Sequence, residues 1–595
     1  MTTPTGSGTG PTAAQRIAAG YATTSASVVL GSVVTGSGTS DAGTVDPTAL
    51  VQMPLSMFNR HGLVAGATGT GKTKTLQVIA EQLSAAGVPV FLPDVKGDLT
   101  GLALPGSPNT RIEQRAAETG DDWVGTGYPV EFLTLAGQGA EVPVRATVDS
   151  FGPILLSKVL GLNETQESTL GLIFHWADAR QLPLLDLKDL RAVIMYLTSD
   201  EGKSDLKELG GVSKATAGVI LRNVTNLDAQ GGDQFFGEPE LDIADLLRQA
   251  PDGRGVITLL ECAALQTKPV LFSTFLMWLL AELFEALPEV GDVDAPKLVF
   301  LFDEAHLLFA DASKAFLQAV QQTVKLIRSK GVGVFFCTQM PTDVPGPVLS
   351  QLGARIQHAL RAFTPEDQKA LSATVKTYPF TDDYDLSTAL TGLGTGEAIV
   401  TVLSERGAPT PVAWTRVRAP RSLMAPAPAE LLTQAVAASA LTAKYGTAVD
   451  RESAYEILAA RVTTPEEAPN SVPTVPLPPT APWTGPVSTG PAAPARVPSA
   501  PSLGADGWPT LDPGIAMTYP TLDPQPPVRT RSRSTAKTRR PAPADYPEPQ
   551  PRSTISDVLE SPMVTSFFRS LGTAAGGALG RSIFGTRSKP TRRRR

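Results

Sequence analysis

Gly62-Leu63-Val64-Ala65-Gly66-Ala67-Thr68-Gly69-Thr70-Gly71-Lys72-Thr73-Lys74-Thr75-Leu76-Gln77 is the stretch from which the rest of the chain is read. Gly66 to Thr73 fills the pattern G-x-x-x-x-G-K-[ST]. A short apolar run precedes it (Leu63, Val64, Ala65), and Leu76, Val78, Ile79 and Leu83 follow at helical spacing. Strand, glycine-rich turn and helix, in that order, are the surroundings a phosphate-binding loop requires. The glycines let backbone N–H groups converge on a phosphate at a helix N-terminus, where unpaired donors and the helix dipole favour an anion. Gly66, Ala67, Thr68, Gly69, Thr70, Gly71, Lys72, Thr73 and Lys74 are therefore the expected nucleotide contacts. Lys72 is expected to reach the β- and γ-phosphates, and the Thr73 hydroxyl to ligate Mg²⁺. The competing reading is a glycine-rich turn matching by accident, and the flanking strand and helix speak against it.

Apolar runs recur at Val88 to Leu92, Val130 to Leu135, Gly255 to Cys262, Lys297 to Phe302 and Gly331 to Cys337, with helical patterns between them. Continuous runs of this kind are typical of a parallel sheet buried on both faces, so residues 46–425 read as a doubly wound α/β domain. Residues 154–227 read as a helical insertion. Its Lys203, Lys207, Lys214 and Arg222 form either a solvated face or a surface for a polynucleotide. The apolar segment from Val270 to Leu287 carries Glu282 and Glu285 and reads as a buried helix rather than a membrane span.

The run Leu298 to Phe302 ends in Asp303-Glu304-Ala305-His306. An apolar strand closed by Asp-Glu is the Walker B arrangement: Asp303 would hold Mg²⁺, and Glu304 would polarise the water that attacks the γ-phosphate. His306 reads equally as a packing residue at a helix start. Gln339 closes the next apolar run, where an amide can bond the γ-phosphate or the attacking water. Arg328 precedes that run, and a guanidinium inserted into a neighbouring subunit's site would stabilise transition-state charge. Arg355 and Arg361 are rivals for that role, and a surface ion pair is the plainer reading of each. Asp94 and Asp98, in Pro93-Asp94-Val95-Lys96-Gly97-Asp98, are expected to lie beside the phosphate-binding strand and face the metal or the water. An acidic turn is the alternative.

Of 595 residues, 42% are apolar, as in ordinary globular proteins. Two cysteines, Cys262 and Cys337, exclude a disulfide framework or a paired-cysteine metal site and fit a reducing compartment. The first residues carry neither a basic stretch nor an apolar core, so no secretory leader is read and a cytoplasmic location is expected. The net charge of −7 hides an asymmetry. The last 67 residues hold 15 basic against 4 acidic side chains, while the remainder is strongly acidic. Such a tail is suited to nucleic acid, anionic lipid or the body itself.

The loop at Gly66, the LFDEAH strand, the arginine before GVGVFFCTQ and its terminal Gln339 follow the order of the HerA–FtsK superfamily of ring-forming P-loop ATPases, which this chain resembles. Asp94 to Asp98 is similar to the D-P-H-G-E motif of HerA, with Val95, Lys96 and Asp98 departing from it. RHGLVAGATGTGKT, DVKGDLTGL and FTPEDQKAL look like the stand-alone bacterial HerA-like ATPases of the YjgR type. Over roughly residues 50–425 the resemblance implies a RecA-like fold, ATP and Mg²⁺ as cofactors, a hexameric ring and a motor acting on DNA. HerA itself has an N-terminal β-barrel, for which only 65 residues precede the loop here.

Outside the body, residues 1–45 are Gly/Ser/Thr-rich and read as flexible, with one strand over Ser27 to Val34 that could add to the sheet. Residues 426–464 contain helical runs that could pack on the body. Residues 465–550 hold 22 of the 52 prolines and read as a disordered linker, in which Trp508 to Pro513 recurs as Tyr519 to Pro524, either as a partner-docking peptide or as low-complexity drift. Residues 551–595 read as an amphipathic Gly/Ala helix with a basic end, too short to cross a bilayer but compatible with its surface. Two functions follow as expectations: a Mg²⁺-dependent ATPase coupled to DNA translocation or remodelling, and a nucleotide-switched scaffold with slow, DNA-independent hydrolysis.

Overall fold

The computed structural model describes residues 11–36, 43–135, 141–208, 212–262, 269–309 and 314–463, all within one compact unit. The readings of residues 465–550 and 551–595 lie outside the described residues.

The strands are β1 (Ser27–Thr35), β2 (Thr44–Pro54), β3 (Gly62–Ala65), β4 (Val90–Asp94), β5 (Val130–Leu135), β6 (Val142–Val144), β7 (Ile257–Glu261), β8 (Leu298–Phe302), β9 (Val332–Thr338), β10 (Ala354–Gln357), β11 (Glu397–Thr401) and β12 (Ala413–Val417). They form one sheet in the order β2-β1-β12-β11-β10-β3-β9-β8-β4-β7-β5-β6. Every pair from β10 to β6 is parallel, and every pair from β2 to β10 is antiparallel. The architecture is thus the expected α/β, RecA-like P-loop fold with a mostly parallel sheet, extended at one side by an antiparallel edge.

Continuous apolar strands are legible here as two-sided burial. Along β8, Leu298, Phe300 and Phe302 enter one core, with the long helix Pro269–Ala286 and the helical insertion. Val299 and Leu301 enter the other, with Leu76, Ile79 and Leu83 of the helix Lys72–Ala85. Alternate side chains of a strand point to opposite faces, so all five are buried. The strand β3, which leads into the glycine-rich loop, runs beside β9, which runs beside β8. β4 lies beyond β8, so the expectation that Asp94 sits next to the β3 strand is corrected: two strands intervene.

Between β6 and β7 the chain is helical from Val148, with short turns, to Leu247. Its helices start on side-chain caps, with capping boxes at Asn163/Gln166 and Asp186/Asp189. The described residues 11–36 depart from the expected flexible segment, and the strand read over Ser27 to Val34 is present as β1. The helix Ala13–Ala19 packs on the sheet, and β1 is sandwiched between β2 and β12, with Val28, Leu30, Val33 and Val34 buried. The C-terminal runs form the helices Ala429–Ala438, Ala440–Tyr445 and Ala454–Thr463, which place Leu441, Tyr445, Ala454 and Leu458 in the core.

The segment after β12 returns along the helix Lys72–Ala85. Lys74 Nζ donates to Met424 O (2.9 Å), and Gln77 Nε2 donates to Ser422 Oγ (2.6 Å) and Leu423 O (3.0 Å). The Glu81 carboxylate accepts from the backbone N–H groups of Arg421 (2.8 Å) and Ser422 (2.9 Å). Positions 74, 77 and 81 share one helix face, so these contacts form a strap along it.

Candidate functional site

The carboxyl ends of β3, β9 and β8 bring the three strongest sequence signals to one edge. Register pairs Ala65 of β3 with Thr338 of β9, and Phe302 of β8 with Phe336 of β9. The next residues are therefore the loop at Gly66, the turn at Gln339 and the pair Asp303-Glu304.

The loop has the geometry of an anion cradle. Gly66 (φ +153°), Gly69 (φ +78°) and Gly71 (φ +117°) hold positive φ. At Gly66 a Cβ would come within 2.5 Å of His358 Cβ, so both conformation and space demand glycine. Gly66 N donates to Thr338 O (3.2 Å) and Gln339 O (3.1 Å), and Ala67 N donates to Ala359 O (2.8 Å), which lashes the loop to β9 and to the residues after β10. The N–H groups of Gly69, Gly71, Lys72, Thr73 and Lys74 have no backbone acceptor among the described residues, the number and placement of donors that favour a phosphate at a helix start. Thr68 and Gly69 are exposed at the tip, while Thr70 is buried, its hydroxyl donating to Ala67 O (2.7 Å). Lys72 is buried, with Nζ donating to Gly66 O (2.7 Å) and Ala67 O (3.2 Å) inside the loop. Lys74 contributes its backbone only: its ammonium serves Gln77 and Met424.

Asp303 and Glu304 are both buried. Burial raises the Asp303 carboxyl above its ordinary range; the Cys337 side chain bonds it and works against that shift, and the Glu304 charge adds to it. Glu304 stands at φ +48°, a left-handed conformation that a non-glycine residue adopts only when its surroundings enforce it. Its Oε1 is paired with Lys96 Nζ. His306 Nδ1 lies 3.3 Å from its Oε2, out of line for a hydrogen bond. Gln339 is exposed at the end of the strand between the two motifs.

Asp94 turns out to build a turn. Its carboxylate accepts from Lys96 N (3.1 Å), Gly97 N (2.7 Å) and Leu99 N (3.0 Å) and so organises the loop that presents Lys96 to Glu304. The three candidate arginines separate. Arg328 precedes β9 and lies at the opposite end of that seven-residue strand, roughly 20 Å away along it, 3.8 Å from Asp292. Arg355 pairs with Leu63 near the start of β10 and β3. Arg361, exposed two residues past Ala359, is on the loop's own edge.

With that geometry in place, the family comparison is decisive. The model described as Helicase HerA-like C-terminal matches residues 40–476. The chain belongs to this family. Among solved structures, this HerA-like chain is similar to the bacterial conjugative coupling protein TrwBdeltaN70 (15% identity, 70% of this chain and 95% of that one, TM-score 0.44). It is similar also to VirB4 of Thermoanaerobacter pseudethanolicus (14% identity, 67% and 98%, TM-score 0.40) and to TrwB in complex with ADP and Mg²⁺ (15% identity, 66% and 97%, TM-score 0.42). No curated protein matches the sequence.

Two residues of the HerA-like site escape sequence reasoning. Lys96 stands in sequence only as a departure from the D-P-H-G-E pattern. His358 is fully buried under the loop, with Nδ1 2.8 Å from Glu397 O and Nε2 2.9 Å from Thr75 Oγ1. A carbonyl only accepts, so Nδ1 carries the proton and Nε2 accepts from Thr75. Burial holds this imidazole at about 4, below its ordinary 6.5, despite the bond to Glu397. The neutral ring is therefore the one the fold stabilises. Its contribution is complete above pH 6.5 and is lost as pH falls toward 4, by about 2 kcal/mol at pH 5. The stability lead of wild type over His358→Gln should accordingly narrow by about 2 kcal/mol from pH 7 to pH 5 in denaturant titrations. A constant difference would refute the neutral assignment.

Proposed function

We propose that the protein is a Mg²⁺-dependent ATPase that works as a hexameric ring, as its family resemblance implies, and couples hydrolysis to translocation or remodelling of DNA in the cytoplasm. The observation that carries this reading is the placement of the Gly66–Thr73 loop and the Asp303-Glu304 pair on strand ends separated by β9 alone. In it, Lys72 and the loop N–H groups hold the phosphates and Glu304 orients the attacking water.

The residues fit Mg²⁺. Asp303 offers a buried carboxylate, and the Thr73 hydroxyl has no hydrogen-bond partner among the described residues. One or two hard oxygen donors completed by phosphate and water is the usual Mg²⁺ environment, which needs no larger cluster of acidic ligands. TrwB, whose complex contains ADP and Mg²⁺, belongs to the same structural comparison. A ring also gives Arg328 a use that its own chain denies it, since it stands at the far end of β9. Among the described residues no helix is long and apolar enough to cross a membrane.

Turnover measured with and without double-stranded DNA tests the coupling. DNA should stimulate hydrolysis, and the stimulation should fall steeply between about 50 and 200 mM salt, because phosphate contacts release counterions. Slow hydrolysis, indifferent to DNA at every salt concentration, would replace the motor with the nucleotide-switched scaffold.

A further inference from the structure

The two oxygens of Glu304 are in different circumstances. Oε1 is paired with the Lys96 ammonium, while Oε2 is buried and has no hydrogen-bond partner among the described residues. His306 Nδ1, 3.3 Å from Oε2, is not aligned to bond it. A buried carboxylate oxygen left open is rare in a folded protein and calls for an explanation.

Lys96 is itself held in place. Asp94 closes β4 and uses both carboxylate oxygens to bond the N–H groups of residues 96, 97 and 99, and Gly97 takes φ +72° to complete the turn. The turn thus sends a half-exposed lysine from the end of β4 across to the end of β8, the neighbouring strand. On the other side, the left-handed φ of Glu304 fixes its backbone, with Glu304 N donating to Asp303 Oδ1 (2.9 Å) and Ala305 N to Cys337 O (2.7 Å). Backbone conformation and side-chain anchor together leave the carboxylate little rotational freedom.

We propose that Lys96 is a positioning residue: by anchoring Oε1 it fixes the rotation of the Glu304 carboxylate so that Oε2 is the oxygen presented to the attacking water. This rests on the ATPase reading and adds to it a role for the 94–99 turn. A base must stand within hydrogen-bond reach of the proton it takes, and a carboxylate free to swing would spend much of its time out of line. The reaction is otherwise unchanged. Water attacks the γ-phosphorus, its proton passes to Oε2, the bond from the γ-phosphorus to the bridging oxygen breaks, and ADP and phosphate leave.

The test compares Lys96→Met, Lys96→Arg, Glu304→Gln and the double variant Lys96→Met/Glu304→Gln in the full chain. Turnover is read beside the affinity for a fluorescent ATP analogue. Lys96→Met should lower kcat by about tenfold or more while affinity changes by less than about twofold, the split expected when only transition-state alignment is lost. Lys96→Arg keeps the charge and should recover turnover to within roughly threefold. In the Glu304→Gln background, Lys96→Met should cause no further loss, because groups acting as a unit are not additive. An additive loss, a parallel loss of affinity, or a rise in turnover on removing Lys96 would each overturn the proposal: the first two make Lys96 a phosphate contact or a structural residue, the third a restraint on the base. A wild-type protein that does not hydrolyse ATP would refute the ATPase reading itself, which keeps the two failures apart.

Discussion

Replacing Glu304 by glutamine should reduce ATP turnover by roughly 10² to 10⁴, the range set by removing a positioned general base, while nucleotide binding persists. Glutamine keeps the size of the side chain and can still place an oxygen near Lys96 but cannot accept the proton of the attacking water. The effect should fall on kcat, since Glu304 lies just past the end of β8 and the Gly66–Thr73 loop lies after β3, with β9 between. Single-turnover hydrolysis alongside equilibrium binding of the ATP analogue checks this. Unchanged turnover would remove Glu304 from the reaction and with it the Walker B reading of the β8 end.

Lys72→Ala should fail at an earlier step. Its ammonium is buried among the carbonyls of Gly66 and Ala67, inside the loop whose N–H groups at Gly69, Gly71, Lys72, Thr73 and Lys74 have no backbone acceptor among the described residues. Removing it takes away the one side-chain cation in the cradle, so both binding and hydrolysis should be lost. Ligand at 100 times its dissociation constant stabilises a protein by about 2.7 kcal/mol, and that ATP-dependent gain in melting temperature should disappear in the variant. Retained stabilisation by ATP together with retained turnover would place the nucleotide elsewhere.

The motifs that a local pattern can encode were legible in sequence. The loop glycines are demanded by backbone conformation and by the closeness of His358, and the apolar strands of the parallel sheet are continuous because both faces are covered. Partners far apart in the chain were not. Lys96 and Glu304 are separated by 208 positions, and neither residue's neighbours announce the pairing. His358 sits in a stretch whose arginines draw attention, and its role appears only once β10 is laid beside β3. Short strands such as β11 and β12 exist through their neighbours in the sheet; β1 shows in the sequence as the apolar run Ser27 to Val34, whereas its edge partner β2 does not. Asp94 shows how one residue type serves two ends: an acid closing a strand resembles a metal ligand, and here it is spent on three backbone N–H groups of its own turn.

The strap formed by residues 421–424 means that the catalytic half cannot be excised as a self-contained cassette. A fragment ending at Arg418 would strip Gln77 and Glu81 of the partners that satisfy them in the intact chain and loosen one flank of the helix that follows the Gly66–Thr73 loop. Whatever takes hold of the chain beyond Met424 therefore has a mechanical handle on the cradle some 350 positions earlier.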